Sequence, residues 1–165
     1  MDKHLLQPPW PVPDVECLER DHVVARRLNP DADIDDLYEL SHGTEEYKTV
    51  WRFMTYGPFA GKQDMHAWLR SIADSRDPLF FTIFSKDHRR RVGMYAIMNI
   101  STQHGRAELG NIWYSPLVQK TIVNTEVTYL FLSHLFDDLH GFERVLPHQE
   151  DGNLGRARRR DVFTG

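Results

Sequence analysis

Sulfur, excess basic charge and long apolar runs are all scarce in this chain. One cysteine, Cys17, among 165 residues cannot close an internal disulfide, and no cysteine pair is available for a structural metal. A reducing compartment, the cytoplasm, is the expected location. No stretch approaches the roughly 18 consecutive apolar residues of a membrane span. The opening MDKHLLQPPWPVP breaks its short apolar run with prolines, unlike the apolar core of a secretory leader. With 20 Lys+Arg against 24 Asp+Glu, the net charge is -4 at pH 7, so no overall attraction to nucleic acid or to an acidic membrane is expected. The five-residue basic run 156–160 reads as a solvated tail. None of the nine histidines pairs with a carboxylate at metal-ligand spacing, so no metal is expected. His134, on an apolar helical stretch, reads as a core residue.

What is present suits one domain of ordinary composition, 41% hydrophobic and 27% charged. Residues 1–14 carry Pro8, Pro9, Pro11 and Pro13 and read as an extended arm. Val23 to Arg27 reads as a short strand. Asn29-Pro30-Asp31 then supplies capping residues for a helix marked by Ile34, Leu37 and Tyr38. The aromatic segment 50–59 ends in a turn before a second amphipathic helix carrying Met65, Trp68, Leu69 and Ile72, with Asp77-Pro78 as its stop. Leu79 to Ser85, Val92 to Ser101 and Ala107 to Ser115 are β-branched and aromatic runs joined by short polar loops, which predicts an antiparallel meander. From Val123 to Leu139 apolar residues recur every three or four positions, marking a central helix. Gly141 stands where its C-cap belongs, and Phe142 to Val145 begins another strand. The fold class expected is mixed α/β: a mainly antiparallel sheet flanked by helices. Trp51, Phe53, Tyr56 and Phe59 form either part of the core or the wall of a ligand pocket, the core being the commoner use of such a stripe.

The turn after the third meander strand opens directly into a helix. Free backbone N–H groups converge at such a point, which suits a diphosphate; an ordinary helix start over Gln119 to Thr125 is the alternative. Several phrases around this turn carry a family likeness: Trp51-Arg-Phe-Met-Thr-Tyr-Gly-Pro-Phe59, Asp77-Pro-Leu-Phe-Phe81, Glu108-Leu-Gly-Asn-Ile-Trp113, Ser115 to Glu126, and Phe136 to Val145. Together they resemble the GNAT superfamily of N-acetyltransferases, in the branch related to ribosomal-protein N-terminal acetyltransferases. That resemblance implies acetyl-CoA as co-substrate and a small-molecule or peptide amine as acceptor, with the amine attacking the thioester directly. It places the cofactor at Trp113, Tyr114, Ser115, Gln119, Lys120, Thr121, Ile122, Val123, Asn124 and Thr125. Lys120 and Ile122 fall where relatives often have glycine, and the Lys120 charge is expected to compensate. Glu108, with Gly110 and Ile112 on its face of the strand, is the expected base; an ordinary surface carboxylate is the alternative.

Relatives continue past the fifth strand with a helix introduced by an asparagine and with two further strands. Here Asn153 falls at the matching distance, but Leu146-Pro-His-Gln149 replaces the flanking pattern, and the tail 146–165 offers neither strand nor amphipathic helix. The expectation is a domain over 15–145 lacking the usual last helix and strands. It carries two consequences: a catalytically inactive domain that retains a CoA-binding or partner-binding surface is the alternative function, and the exposed sheet edge invites homodimerisation.

Overall fold

The computed structural model describes residues 8–139, 142, 144–147 and 157–158. Its sheet has seven strands in chain order: β1 (Cys17–Glu19), β2 (Val23–Arg27), β3 (Leu79–Ser85), β4 (Arg90–Ser101), β5 (Arg106–Tyr114), β6 (Arg144–Pro147) and β7 (Ala157–Arg158). Neighbours run antiparallel except β5 and β6, which are parallel. Chemistry along the chain explains the exception. Short polar loops join β3, β4 and β5 as hairpins, whereas a helix separates β5 from β6, and a parallel pair needs such a crossover.

The helices are α1 (Pro30–His42), α2 (Lys62–Ile72) and α3 (Ile122–Ser133), the last continued by a π-helical turn over His134–Asp138. A single 3₁₀ stretch, Tyr47–Phe53, lies between α1 and α2. At the start of α1 the caps are reciprocal: the Asn29 side chain accepts from the Ala32 N–H at 3.3 Å, and Asp33 accepts from the Asn29 N–H at 2.9 Å. The buried Asp33 carboxylate also accepts from Thr82 Oγ1 at 2.7 Å and Arg91 Nε at 2.6 Å, which ties α1 to β3 and β4.

Alternation in the strands divides the core between two faces. Phe81, Ile83, Tyr95, Ile97, Leu109, Val127 and Phe131 belong to one cluster, and Leu37, Trp51, Met65, Leu69, Phe80, Met94 and Trp113 to the other. Tyr95 stacks on Phe131 with ring centroids 4.7 Å apart, which seats α3 on the sheet.

Four details differ from the sequence reading. Helix α2 ends at Ile72, well before Asp77-Pro78; the Asp77 carboxylate instead accepts from the N–H groups of Asn99 (2.7 Å) and Ile100 (3.0 Å) in β4. Strand β1, three residues long, is too short for a pattern to announce it. The tail 146–165, expected without strands, contributes to two: Leu146 and Pro147 complete β6 opposite Glu108 and Leu109, and Ala157–Arg158 pairs with Arg144 and Val145 as β7. Tyr129, within the apolar stripe of the central helix, is 43% exposed, and Arg20 lies over its ring at 4.0 Å.

Candidate active site

The site is built on the outer half of β5. Pairing with β6 covers only Arg106 to Leu109, so Gly110 to Tyr114 extend past it, and no strand among the described residues uses their outward N–H and C=O groups. On the other side β5 pairs with β4, with an extra β5 residue between the pairs Ala96↔Gly110 and Met94↔Trp113. Asn111 takes up that residue in the left-handed region, φ 50°. Such a bulge reverses the alternation. Leu109, opposite Ile97, faces the α3 side, while Trp113, opposite Met94, faces the α1 and α2 side. Ile112 therefore packs on the α3 side and does not share the face of Glu108 and Gly110, correcting the sequence reading.

After β5 the chain turns through Ser115 to Thr121. Ser115 is fully buried; its N–H donates to the Val92 carbonyl at 2.8 Å and its hydroxyl accepts from the Leu117 N–H at 3.4 Å. The Gln119 side-chain amide donates to the Tyr114 carbonyl at 2.9 Å and closes the turn. Lys120 is exposed and adopts φ 61°, the left-handed conformation that glycine takes most easily. Thr121 caps α3, its hydroxyl accepting from the Val123 N–H at 3.3 Å. The N–H groups of Lys120, Ile122 and Asn124 have no partner among the described residues. They share the positive end of a twelve-residue helix. Asn124 and Thr125 present exposed side chains there, whereas the Val123 side chain is buried in the core. These donors and the Lys120 ammonium fit a diphosphate, and the unpaired backbone of β5 fits the amide-bearing arm of a CoA thioester.

Beside this edge lies an open cleft of about 410 Å³, lined by Thr49, Val50, Arg52, Phe53, Met54, Ile112, Trp113, Tyr114 and Gln119. The aromatic segment thus splits its roles. Trp51 is 3% exposed and packs against Trp113 at 5.2 Å, while Phe53 is 70% exposed at the cleft. Trp113 Nε1 and the Tyr114 hydroxyl are buried without a hydrogen-bond partner. An unsatisfied buried donor of this kind costs about 1–3 kcal/mol. Burial, with a smaller contribution from nearby Tyr95, pushes the Tyr114 phenol well above its ordinary pKa and keeps it protonated.

Glu108 is half-buried, and its Oε2 accepts from Asn99 Nδ2 at 2.9 Å. It does not line the cleft. At roughly 3.3 Å per strand residue, its position is about 13 Å along β5 from Ile112. Asn153 lies outside the described residues. His134 is less satisfied than expected of a core histidine: Nδ1 contacts Asp138 Oδ2 at 3.1 Å, but buried Nε2 has no partner. Arg52, at the cleft, has no role of its own in the sequence reading beyond its place in the phrase Trp51 to Phe59, because a lone arginine among aromatics carries no pattern.

The sequence matches the acetyltransferase (GNAT) domain family over residues 22–158. The chain belongs to the GNAT acetyltransferases. Solved structures agree with that membership. A GCN5-related N-acetyltransferase from Brucella melitensis is 30% identical with a TM-score of 0.78, over 83% of this chain and 61% of that one. This GNAT chain therefore matches about three fifths of the length of that relative. A probable acetyltransferase of the GNAT family from Chromobacterium violaceum is 21% identical with a TM-score of 0.73, over 88% of this chain and 70% of that one. A Vibrio cholerae structure assigned as a ribosomal-protein-serine acetyltransferase shares the fold at 16% identity and TM-score 0.66, over 83% of this chain and 75% of that one. No curated protein matches the sequence. Among the described residues of this GNAT fold, no helix is long and apolar enough to cross a membrane.

Proposed function

We propose that this chain moves an acetyl group from acetyl-CoA to a primary amine by direct attack, without a covalent enzyme intermediate. One observation carries the reading: the free N–H groups of Lys120, Ile122 and Asn124 stand at the end of a strand whose outer half, Gly110 to Tyr114, is unpaired. In this reading the Lys120 to Thr125 turn holds the diphosphate, with Lys120 adding charge and Thr121 fixing the helix start. The backbone of Trp113, Tyr114 and Ser115 receives the pantetheine arm, and Gln119 holds the turn closed. An ammonium acceptor must lose a proton before it attacks, and Glu108, which stands off the cleft about 13 Å along β5 from Ile112, takes it through a relay of several waters. The amine nitrogen then bonds to the thioester carbonyl carbon, the C–S bond breaks, the nitrogen gives up its second proton to water to leave a neutral amide, and the CoA sulfur leaves as thiolate and is protonated from solvent. Positioning supplies most of the acceleration. The exposed, unpaired Cys17 suits the cytoplasm, where we place the reaction.

Calorimetric titration of acetyl-CoA and CoA tests the proposal, with Lys120→Glu alongside. Saturable binding weakened about tenfold or more by the charge reversal supports it. Binding without turnover of any amine leaves a cofactor-binding domain that has lost the transfer step. No binding by the folded protein removes the acetyl-CoA reading.

A further inference from the structure

The cleft beside β5 holds a cation that acetyl transfer itself does not use. Arg52 is exposed and, like Arg89 and Arg106, has no side-chain ion-pair or hydrogen-bond partner among the described residues, but it alone of these three lines the cleft; Arg27, Arg70, Arg76, Arg90 and Arg91 each pair with a carboxylate. No Asp or Glu is among the nine residues lining the cleft. A second group also lacks its complement: Trp113 Nε1–H is a buried donor with no acceptor. Beside Arg52 stand the exposed Phe53 ring, Met54 and Ile112, so the cleft joins one free guanidinium to an apolar wall, while the Trp113 Nε1–H lies buried behind that wall.

Resting on the acetyl-transfer reading above, we infer that the acceptor is an apolar α-amino acid whose carboxylate is bound by Arg52. A guanidinium offers a planar pair of donors that matches a carboxylate, and it is the cation best suited to a site shared with aromatic rings. The apolar side chain lies against Phe53 and Met54, where it covers surface that water otherwise wets. A polyamine fits this cleft badly, since its charges would meet Arg52 with no lining carboxylate to balance them. A cleft of about 410 Å³ also lies within the range of small-molecule sites.

The test compares acceptors matched except for the carboxylate. Phenylalanine, phenethylamine and spermidine are offered with saturating acetyl-CoA, and CoA release is followed. Phenylalanine is expected to exceed phenethylamine about tenfold or more in kcat/KM. In Arg52→Gln that preference falls to near unity through a raised KM, with kcat little altered. Equal or better use of phenethylamine or spermidine overturns the inference, as does a variant that keeps the preference. Arg52→Gln weakening acetyl-CoA binding while leaving the amine preference intact also overturns it, by assigning the cation to a cofactor phosphate. A turnover-free arm titrates N-acetylphenylalanine and N-acetylphenethylamine into the protein with and without CoA. Tighter binding of the carboxylate-bearing product, lost in Arg52→Gln, supports the site; no difference between the two, or no binding of either, overturns it. Failure of acetyl-CoA itself to bind is a separate result and removes the acetyl-transfer reading instead.

Discussion

His42 joins three parts of the core on the α1 and α2 side of the sheet through a neutral ring. Its Nε2 accepts from the Phe59 N–H at 2.9 Å, its Nδ1 meets Ser41 Oγ at 2.9 Å, and its ring stacks on Tyr38 at 4.5 Å. Burial lowers its pKa from the ordinary 6.5, the Lys48 charge lowers it further, and a backbone hydrogen bond at Tyr38 partly offsets both. Because the folded value lies below the unfolded one, the unfolded chain takes up this proton first. The contribution of His42 is therefore fully present above about pH 6.5 and is lost as pH falls toward the folded value. Urea unfolding at pH 7.5 and pH 5.5 should show His42→Gln to be less stable than the parent at the higher pH but less sensitive to acidification. Equal loss of stability in both proteins would sink the assignment. At this scale the sequence was only half legible. Trp51 and Phe53 share one aromatic stripe, yet two steps in a three-residue turn aim them in different directions, one into the core and the other to the cleft. A stripe has no direction until the turn type is known.

The helices and long strands were the legible elements, since their signals repeat. The Asn29 cap, the apolar repeat of α1 and the three meander strands all form where pattern and capping residues put them. Bulges were not legible. Asn99 (φ 48°) and Asn111 (φ 50°) take left-handed conformations without the glycine that would mark them, so Glu108, Gly110 and Ile112 read as an unbroken alternation. The bulge at Asn99 depends on Asp77, whose two oxygens accept from successive β4 amides. Asp77→Ala should destabilise the fold by about 1–3 kcal/mol, measured by urea unfolding. A change under roughly 0.5 kcal/mol, as for an ordinary surface substitution, would mean that water replaces the carboxylate. Lys120 separates conformation from charge. Lys120→Gly relieves the left-handed backbone and should stabilise the protein by about 1 kcal/mol while weakening acetyl-CoA binding, because the ammonium is gone. Lys120→Ala should weaken binding as well without gaining stability. Parallel denaturation and calorimetry on both variants check this, and equal stabilities for the two would remove the strain argument.

Across the whole molecule the proposed cofactor site draws on both core clusters. Trp113 belongs to the cluster under α1 and α2, while Val123 and Val127 anchor α3 in the other, and the diphosphate turn joins the two. Glu126, buried in the first half of α3, accepts from the His22 N–H at 2.8 Å and fixes the same helix to the start of β2. These ties come from residues far apart in sequence, which is why composition and periodicity showed the layers but not how they meet. The edge strands β1 and β7, of three and two residues, stayed below any pattern for the same reason: their pairing partners define them, not their own residues. A ligand held between two parts of one cooperative core stabilises all of it by mass action. Acetyl-CoA at a hundredfold excess over its Kd contributes about 2.7 kcal/mol. For a domain of 165 residues that corresponds to a rise in Tm of roughly 5–11 °C. Lys120→Glu should need proportionately more ligand for the same rise, with the unliganded Tm little changed. Scanning calorimetry against ligand concentration measures both quantities, and a single transition moving as a whole is expected. Two transitions, only one of them responding to acetyl-CoA, would show that the α3 layer unfolds independently and that the cofactor turn stabilises one layer alone.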